Sequence, residues 1–150
     1  MTLMSQQRVV IVGGGAAGVF AAITCAEAAP DTAVTVLEKS PQFLAKVRIS
    51  GGGRCNVTHA CDDATEMAKR YPRGERFVRR ELYSWSVADT VRWFEERGVA
   101  LKTEADGRMF PVTDSSQTVI DCLMRDADRY GVEVRMHAEV KDVLVASGRR

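Results

Sequence analysis

Three glycines spaced Gly13-x-Gly15-x-x-Gly18 follow directly on the apolar run Arg8 to Val12, and no other feature of the chain restricts its fold so tightly. A glycine turn that leaves a strand and opens a helix serves three needs. Its first glycine allows the tight reversal, its second lets a ligand approach the backbone, and its third lets the helix pack close to the sheet. The context fits. Arg8 to Val12 reads as a short buried strand, and the small residues from about Ala16 to Ala28 predict a helix. Pro30 and Asp31 predict a turn, and Ala33 to Leu37 a second strand that ends at Glu38, 20 residues after Gly18. Strand, helix and strand in this span make one βαβ unit. The helix start presents unpaired N–H groups and a partial positive charge, which suits a pyrophosphate. A carboxylate at Glu38 can accept hydrogen bonds from ribose hydroxyls. It would repel a 2′-phosphate, so it disfavours NADP at this turn and leaves NAD and FAD open.

Composition excludes other classes. The chain has 150 residues, about one domain, and a formal net charge of +1, which gives no global argument for nucleic acid or an anionic membrane. No apolar run approaches the roughly 18 residues of a membrane span, because Gly13 to Gly15 interrupt the first one. The N-terminus lacks a signal-peptide pattern. Cys25, Cys55, Cys61 and Cys122 show no CxxC spacing, so free thiols in a cytoplasmic protein are expected.

Beyond Glu38 the pattern is irregular from Lys39 to about Arg76. A long loop of this kind is usually functional or disordered. Ser86-Val87-Ala88-Asp89 reads as a capping box that starts a helix ending at Gly98. A further helix is expected from about Ser116 to Tyr130, with Val119, Ile120, Leu123 and Ala127 on its apolar side and Gly131 closing it. Val132 to Met136 and Val140 to Val145 read as strands, and Gly148 as the start of a turn.

A second glycine loop, Ser50-Gly51-Gly52-Gly53-Arg54-Cys55-Asn56, can turn several backbone N–H groups toward an anion. A plain NAD domain does not need it, so it favours FAD. The stretches VVIVGGGAAGVFAAI, LEKS, KVRISGGGRCNVTH and GRMFPVTDSSQTVIDCLM together resemble the YhiN-like flavoproteins. These are NAD(P)/FAD-dependent oxidoreductases, or aminoacetone oxidase family FAD-binding enzymes, with bile-acid 4,6-reductase-like proteins among them. The resemblance covers nearly the whole chain, and SGGGRCN is its most specific part. It implies that Gly13, Gly15, Gly18 and Glu38, with Ala16, Ala17 and Lys39 beside them, hold the ADP half of FAD. It implies that Lys46 and the loop Ser50, Gly51, Gly52, Gly53, Arg54, Cys55 and Asn56 line the cofactor near its pyrophosphate and inner face. It also places the backbone of Val140 against adenine. Ala45 departs from the pattern, which has glycine before the lysine. Family members are longer, so the chain is expected to be the N-terminal part of an FAD-binding domain, without the substrate domain and the C-terminal FAD segment.

Other clusters carry less. Cys55, His59 and Cys61 lack a fourth ligand and paired spacing, so no metal is expected. Packing in the loop is the expected role of Cys55, ahead of a redox thiol. Lys69, Arg70, Arg73, Arg76, Arg79 and Arg80 interleave with Tyr71 and Phe77, a pattern that can serve single-stranded nucleic acid. Glu75 and Glu81 dilute it, and a solvated helix face is the expectation. Trp85 and Trp93 are expected in the core or at an interdomain surface, and His137 on a strand with no catalytic role.

The expected fold is therefore α/β: a Rossmann-like FAD/NAD(P)-binding domain. It has a three-stranded parallel sheet, a helical insertion between the second and third strands, and the start of an antiparallel meander at Val140. The expected function is an FAD-dependent oxidoreductase that passes hydride or electrons between NADH or NADPH and a small-molecule substrate or oxygen, without nucleic-acid or membrane partners. The rival is a non-catalytic module that binds a dinucleotide or nucleic acid.

Overall fold

The computed structural model describes residues 7–145. In chain order the elements are β1 (Arg8–Val12), α1 (Ala16–Ala28), β2 (Ala33–Leu37), α2 (Ala45–Gly53), β3 (Thr58–His59) and α3 (Ala64–Ala68). They continue with α4 (Glu75–Ser84), α5 (Val87–Glu95), β4 (Leu101–Thr103), β5 (Arg108–Pro111), α6 (Ser116–Arg129) and β6 (Glu133–Arg135). The chain forms two compact units. Among the described residues, one is built from residues 7–46 and 123–145, the other from Val47–Cys122.

The first unit holds a parallel sheet of order β1-β2-β6. β1 and β2 run in register from Arg8 opposite Ala33 to Val12 opposite Leu37. Thr35 to Leu37 then pair with Glu133 to Arg135. Val34 and Val36 of β2 are buried, and α1 lays Val19, Ala22, Ile23 and Ala26 into the same core. Small residues on α1 let the helix lie close to the strands. Tyr130 at the end of α6 donates its hydroxyl to Glu27 at 2.7 Å, which ties α6 to α1.

β1 differs from the fully buried strand its composition implies. It is an edge strand, and Val10 and Val12 are 58% and 62% exposed. Alternate side chains of a strand point to opposite faces, and here only one face is covered. The strand expected at Val140 to Val145 is absent. These residues adopt no regular structure, Val140 is half-buried, and Val143 to Val145 are exposed. β-branched composition alone does not make a strand; it needs a ladder partner, and none is present among the described residues. The antiparallel meander accordingly does not begin there. His137 lies past the end of β6, in the left-handed region with φ +54°, rather than on a strand. The turn expected at Gly148 lies outside the described residues.

The second unit carries more than the expected helices. An antiparallel sheet of order β3-β5-β4 packs with α5. Phe110 of β5 is fully buried, with Met109 beside it. The capping box of α5 is present: Asp89 N–H donates to Ser86 Oγ at 3.1 Å, and Ser86 N–H donates to Asp89 Oδ2 at 2.8 Å. Trp93 is buried beneath the Arg97 guanidinium, whereas Trp85 is 41% exposed.

Candidate functional site

The glycine turn of the first unit is closed by contacts that the spacing of its glycines does not reveal. Gly13 takes φ +102°, a conformation open to glycine, and its N–H donates to the carbonyl of Leu37 at 2.8 Å. A Cβ on Gly18 would stand 1.9 Å from the Gly13 carbonyl oxygen, so the first turn of α1 presses directly on the backbone before it. Gly15 is the reverse case. It is exposed, has an extended backbone (φ −82°, ψ −176°), and its Cβ would meet nothing within 4 Å. Ala16 and Ala17 beside it are exposed as well. Gly15 caps α1 without a side-chain hydrogen bond, and no acidic residue occupies the first turn. The leading N–H groups of the helix therefore have neither a capping side chain nor a first-turn carboxylate to satisfy them.

Glu38 stands at the end of β2 and is half-buried. One carboxylate oxygen accepts from the Gly14 N–H and the other from the Ser40 N–H, each at 2.8 Å. The Ser40 N–H and then that of Gly14 hold its carboxyl below the ordinary value, so it is ionised at neutral pH. Gly14, an unspecified position of the motif, belongs to this arrangement in its own right. A Cβ there would meet the Phe43 ring at 2.0 Å and Glu38 Cβ at 3.1 Å. The Gly14 carbonyl also accepts from the Leu44 N–H at 2.8 Å, so residues 38–44 fold over the turn. Gly14, Ser40 and Phe43 are the participants that sequence reasoning missed. Lys39 and Lys46 are exposed, and Val140 is half-buried beyond β6.

Replacing Glu38 with Gln gives an expected result. A carboxamide keeps one acceptor but turns its NH2 toward the other backbone donor, so either Gly14 or Ser40 loses its partner. The melting temperature should fall by the equivalent of on the order of 1 kcal/mol, the worth of a charged hydrogen bond reduced for partial exposure. The pH dependence has a definite sign. Because the folded carboxyl titrates below its ordinary value of 4.5, its contribution is fully present above that value and fades as the pH falls through the lower folded value. Melting the wild type and the Gln variant from neutral to acid pH checks this. A constant gap between them at all pH values would contradict it.

The Ser50 to Asn56 loop belongs to the second unit. α2 breaks at Ser50, which is extended (φ −63°, ψ +148°), and Gly51 and Gly52 then take left-handed conformations with φ +56° and +70°. Gly51 is also pinned by space, since a Cβ there would lie 2.8 Å from both the Asn56 nitrogen and the Phe110 ring. Cys55 N–H donates to the Ser50 carbonyl at 3.0 Å and closes the loop. Gly52 and Asn56 are exposed. Arg54 is turned to protein partners. It donates to Glu104 at 2.5 Å, lies 3.6 Å from Asp114, and sits 4.0 Å from the centre of the Phe110 ring. Cys55 is buried, and burial pushes its thiol up, so it holds its proton at neutral pH and packs as an inert side chain. None of the four cysteines forms a disulfide.

Comparison with known proteins adds to this geometry. A family model described as HI0933-like protein Rossmann domain matches residues 7–150. A 3-dehydro-bile acid delta(4,6)-reductase of Clostridium scindens is 31% identical over 140 residues, 93% of this chain and 33% of the relative. Ribosomal RNA dihydrouridine synthases of Haemophilus influenzae and Escherichia coli are 27% and 26% identical, over 89% and 93% of this chain and 32% and 34% of their own lengths. The chain thus spans about a third of the curated relatives it matches. Among solved structures, Thermovibrio ammonificans THI4 shares the fold with a TM-score of 0.54 at 15% identity, covering 87% of this chain and 38% of that one. No helix among the described residues is long and apolar enough to cross a membrane.

Proposed function

We propose, from the premise that the chain belongs to the family of HI0933-like protein Rossmann domains, that it forms the ADP-binding part of an FAD-dependent oxidoreductase. The observation that carries this reading is the open backbone at Gly15 next to an ionised, backbone-anchored Glu38. A diphosphate would sit there, since nothing lies within 4 Å of a Cβ placed on Gly15 and the start of α1 has no capping side chain. Glu38 would accept from a ribose hydroxyl with the lone pairs its two backbone donors leave free, and its charge disfavours a 2′-phosphate. Ala16, Ala17 and Lys39 would flank the same half of the cofactor. In the second unit the Ser50 to Asn56 loop would offer backbone N–H groups, with Arg54 shaping that loop through Glu104 rather than reaching the cofactor itself. Lys46 and Val140 complete the proposed contacts.

When bound, FAD supplies the hydride and electron transfer. The residues of this chain bind and orient it. The reaction proposed for the whole protein takes electrons from NADH or NADPH to a small organic acceptor or oxygen, in keeping with a relative named as a reductase. Four cysteines without a disulfide are in keeping with a cytoplasmic setting. The test is an absorbance spectrum of the whole protein, purified and desalted after supplementation with FAD, then exposed to each nicotinamide without oxygen. Bound flavin that bleaches with one donor is the expected result. Protein that carries no flavin under these conditions would reject the reading.

A further inference from the structure

The run of arginines after α3 does not behave as an ordinary solvated helix face. α4 has no fully buried residue, and its moderately buried apolar pair, Val78 and Leu82, lies one turn apart on one side. The other side carries Arg76, Arg80 and Tyr83 at i, i+4 and i+7, with Phe77 three residues before Arg80. Phe77 is 69% exposed and Tyr83 74%, and Tyr71 just upstream is 42% exposed. A solvated face accounts for the charges but leaves these rings unexplained, since exposed aromatic area is unfavourable in water.

The charges are uncommitted too. Six basic residues from Lys69 to Arg80 face two acids, Glu75 and Glu81, in a chain whose formal net charge is only +1. Lys69 pairs with Glu66. Among the described residues, no ion pair or hydrogen bond engages the side chains of Arg70, Arg73, Arg76, Arg79 or Arg80, whereas Arg54, Arg92, Arg108 and Arg135 all meet carboxylates.

We propose that the outward face of α4, formed by Arg76, Phe77, Arg80 and Tyr83 with Arg73 and Arg79 at its margins, binds single-stranded nucleic acid. Guanidinium groups there neutralise phosphates, and the two rings stack on unpaired bases. Stacking tolerates any base, and the phosphate contacts carry no sequence information, so binding is general and salt-sensitive. A membrane-surface helix is organised differently, with its apolar residues gathered on one face and its basic residues on the other. In α4 the exposed rings stand among the arginines, and the aliphatic pair faces away from them. The proposal does not depend on the flavin reading, because it concerns a different element and needs no cofactor.

Fluorescence anisotropy of the whole protein with labelled oligonucleotides of about 20 bases, RNA and DNA of the same mixed sequence, tests it. Binding to either oligonucleotide is expected, and their ratio shows which sugar the surface accepts. Arg76→Glu with Arg80→Glu should weaken binding at least tenfold and flatten the log–log salt slope by about 1.4, the share of two phosphates on a single strand. Phe77→Ala and Tyr83→Ala should each weaken it roughly tenfold and leave the salt slope unchanged. All four side chains are exposed, so unaltered circular dichroism should accompany each change. The proposal is overturned by an absence of binding to both oligonucleotides, by binding that the variants keep in full, or by capture on phosphatidylserine vesicles in its place.

Discussion

Substituting Gly18 by Ala is expected to lower the melting temperature by about 4–8 °C. In the interior of an exposed helix the same change is stabilising by up to about 1 kcal/mol, because alanine restricts the unfolded chain and favours the helix. Here that gain meets a backbone oxygen. The new Cβ would lie 1.9 Å from the Gly13 carbonyl and 3.4 Å from Ile11 Cγ2. A carbonyl cannot swing aside as a side chain can, and Gly13 is held by its N–H bond to Leu37. Overpacking of this kind costs about 1–3 kcal/mol and sometimes more, so the clash wins over the propensity. A net loss of about 2 kcal/mol, the upper end of that cost less the helix gain, corresponds to the stated shift for a chain of this size. A thermal melt followed by circular dichroism reads it directly. An unchanged or raised midpoint would mean that the turn is looser than the geometry shows.

Gly15→Val should do the opposite: leave the melt within a degree or two and weaken FAD binding at least tenfold, which is about 1.4 kcal/mol. The extended backbone of Gly15 is one that valine readily adopts, and the new side chain meets no protein atom within 4 Å of its Cβ. Losing glycine at this helix cap costs up to about 1 kcal/mol, since glycine caps a helix better than valine, and restricting the unfolded chain returns a similar amount. The branched side chain would instead occupy the space assigned to the pyrophosphate. Calorimetric titration of the whole protein with FAD measures the effect. Equal affinity in wild type and variant would remove the diphosphate from this turn. The two glycines, three residues apart, thus separate a folding role from a binding role.

The first βαβ unit was legible in the sequence because several signals agree there. The glycine turn, the short apolar runs and the acid after the second strand set β1, α1 and β2 at the bounds read from composition. α5 and α6 were equally readable from a capping box, an apolar stripe and closing glycines at Gly98 and Gly131, both with positive φ. Between Lys39 and Arg76 the signals fail for physical reasons. α3 has only five residues, less than two turns, and β3 has two, too short to show a period. α4 starts at Gly74, whose φ of +88° sets the chain direction without a capping side chain to mark it. Val140 to Val145 shows the converse failure, in which β-branched residues mimic a strand although no described residue pairs with them.

At the candidate site the motif glycines and Glu38 could be named from spacing, since the spacing reflects backbone chemistry. Gly14 could not, because its need to be glycine arises from the Phe43 ring, which reaches it only once residues 38–44 have folded back. The partners of Arg54 were hidden for a similar reason: Glu104 is 50 residues away in the chain.

The route of the chain through its parallel sheet sets the order in which that sheet can be completed. Thr35 of β2 hydrogen-bonds the Glu133 side chain of β6 across a separation of 98 residues, and the whole Val47–Cys122 unit is made in between. Loop-closure entropy grows only with the logarithm of length, so the separation adds little to the equilibrium cost. It weighs instead on timing. A ribosome delivers the contiguous insert in full before it delivers the third strand, and long-range parallel pairing is slow to form. Until β6 arrives, β2 presents an open edge on a nascent chain whose β1 edge is open as well.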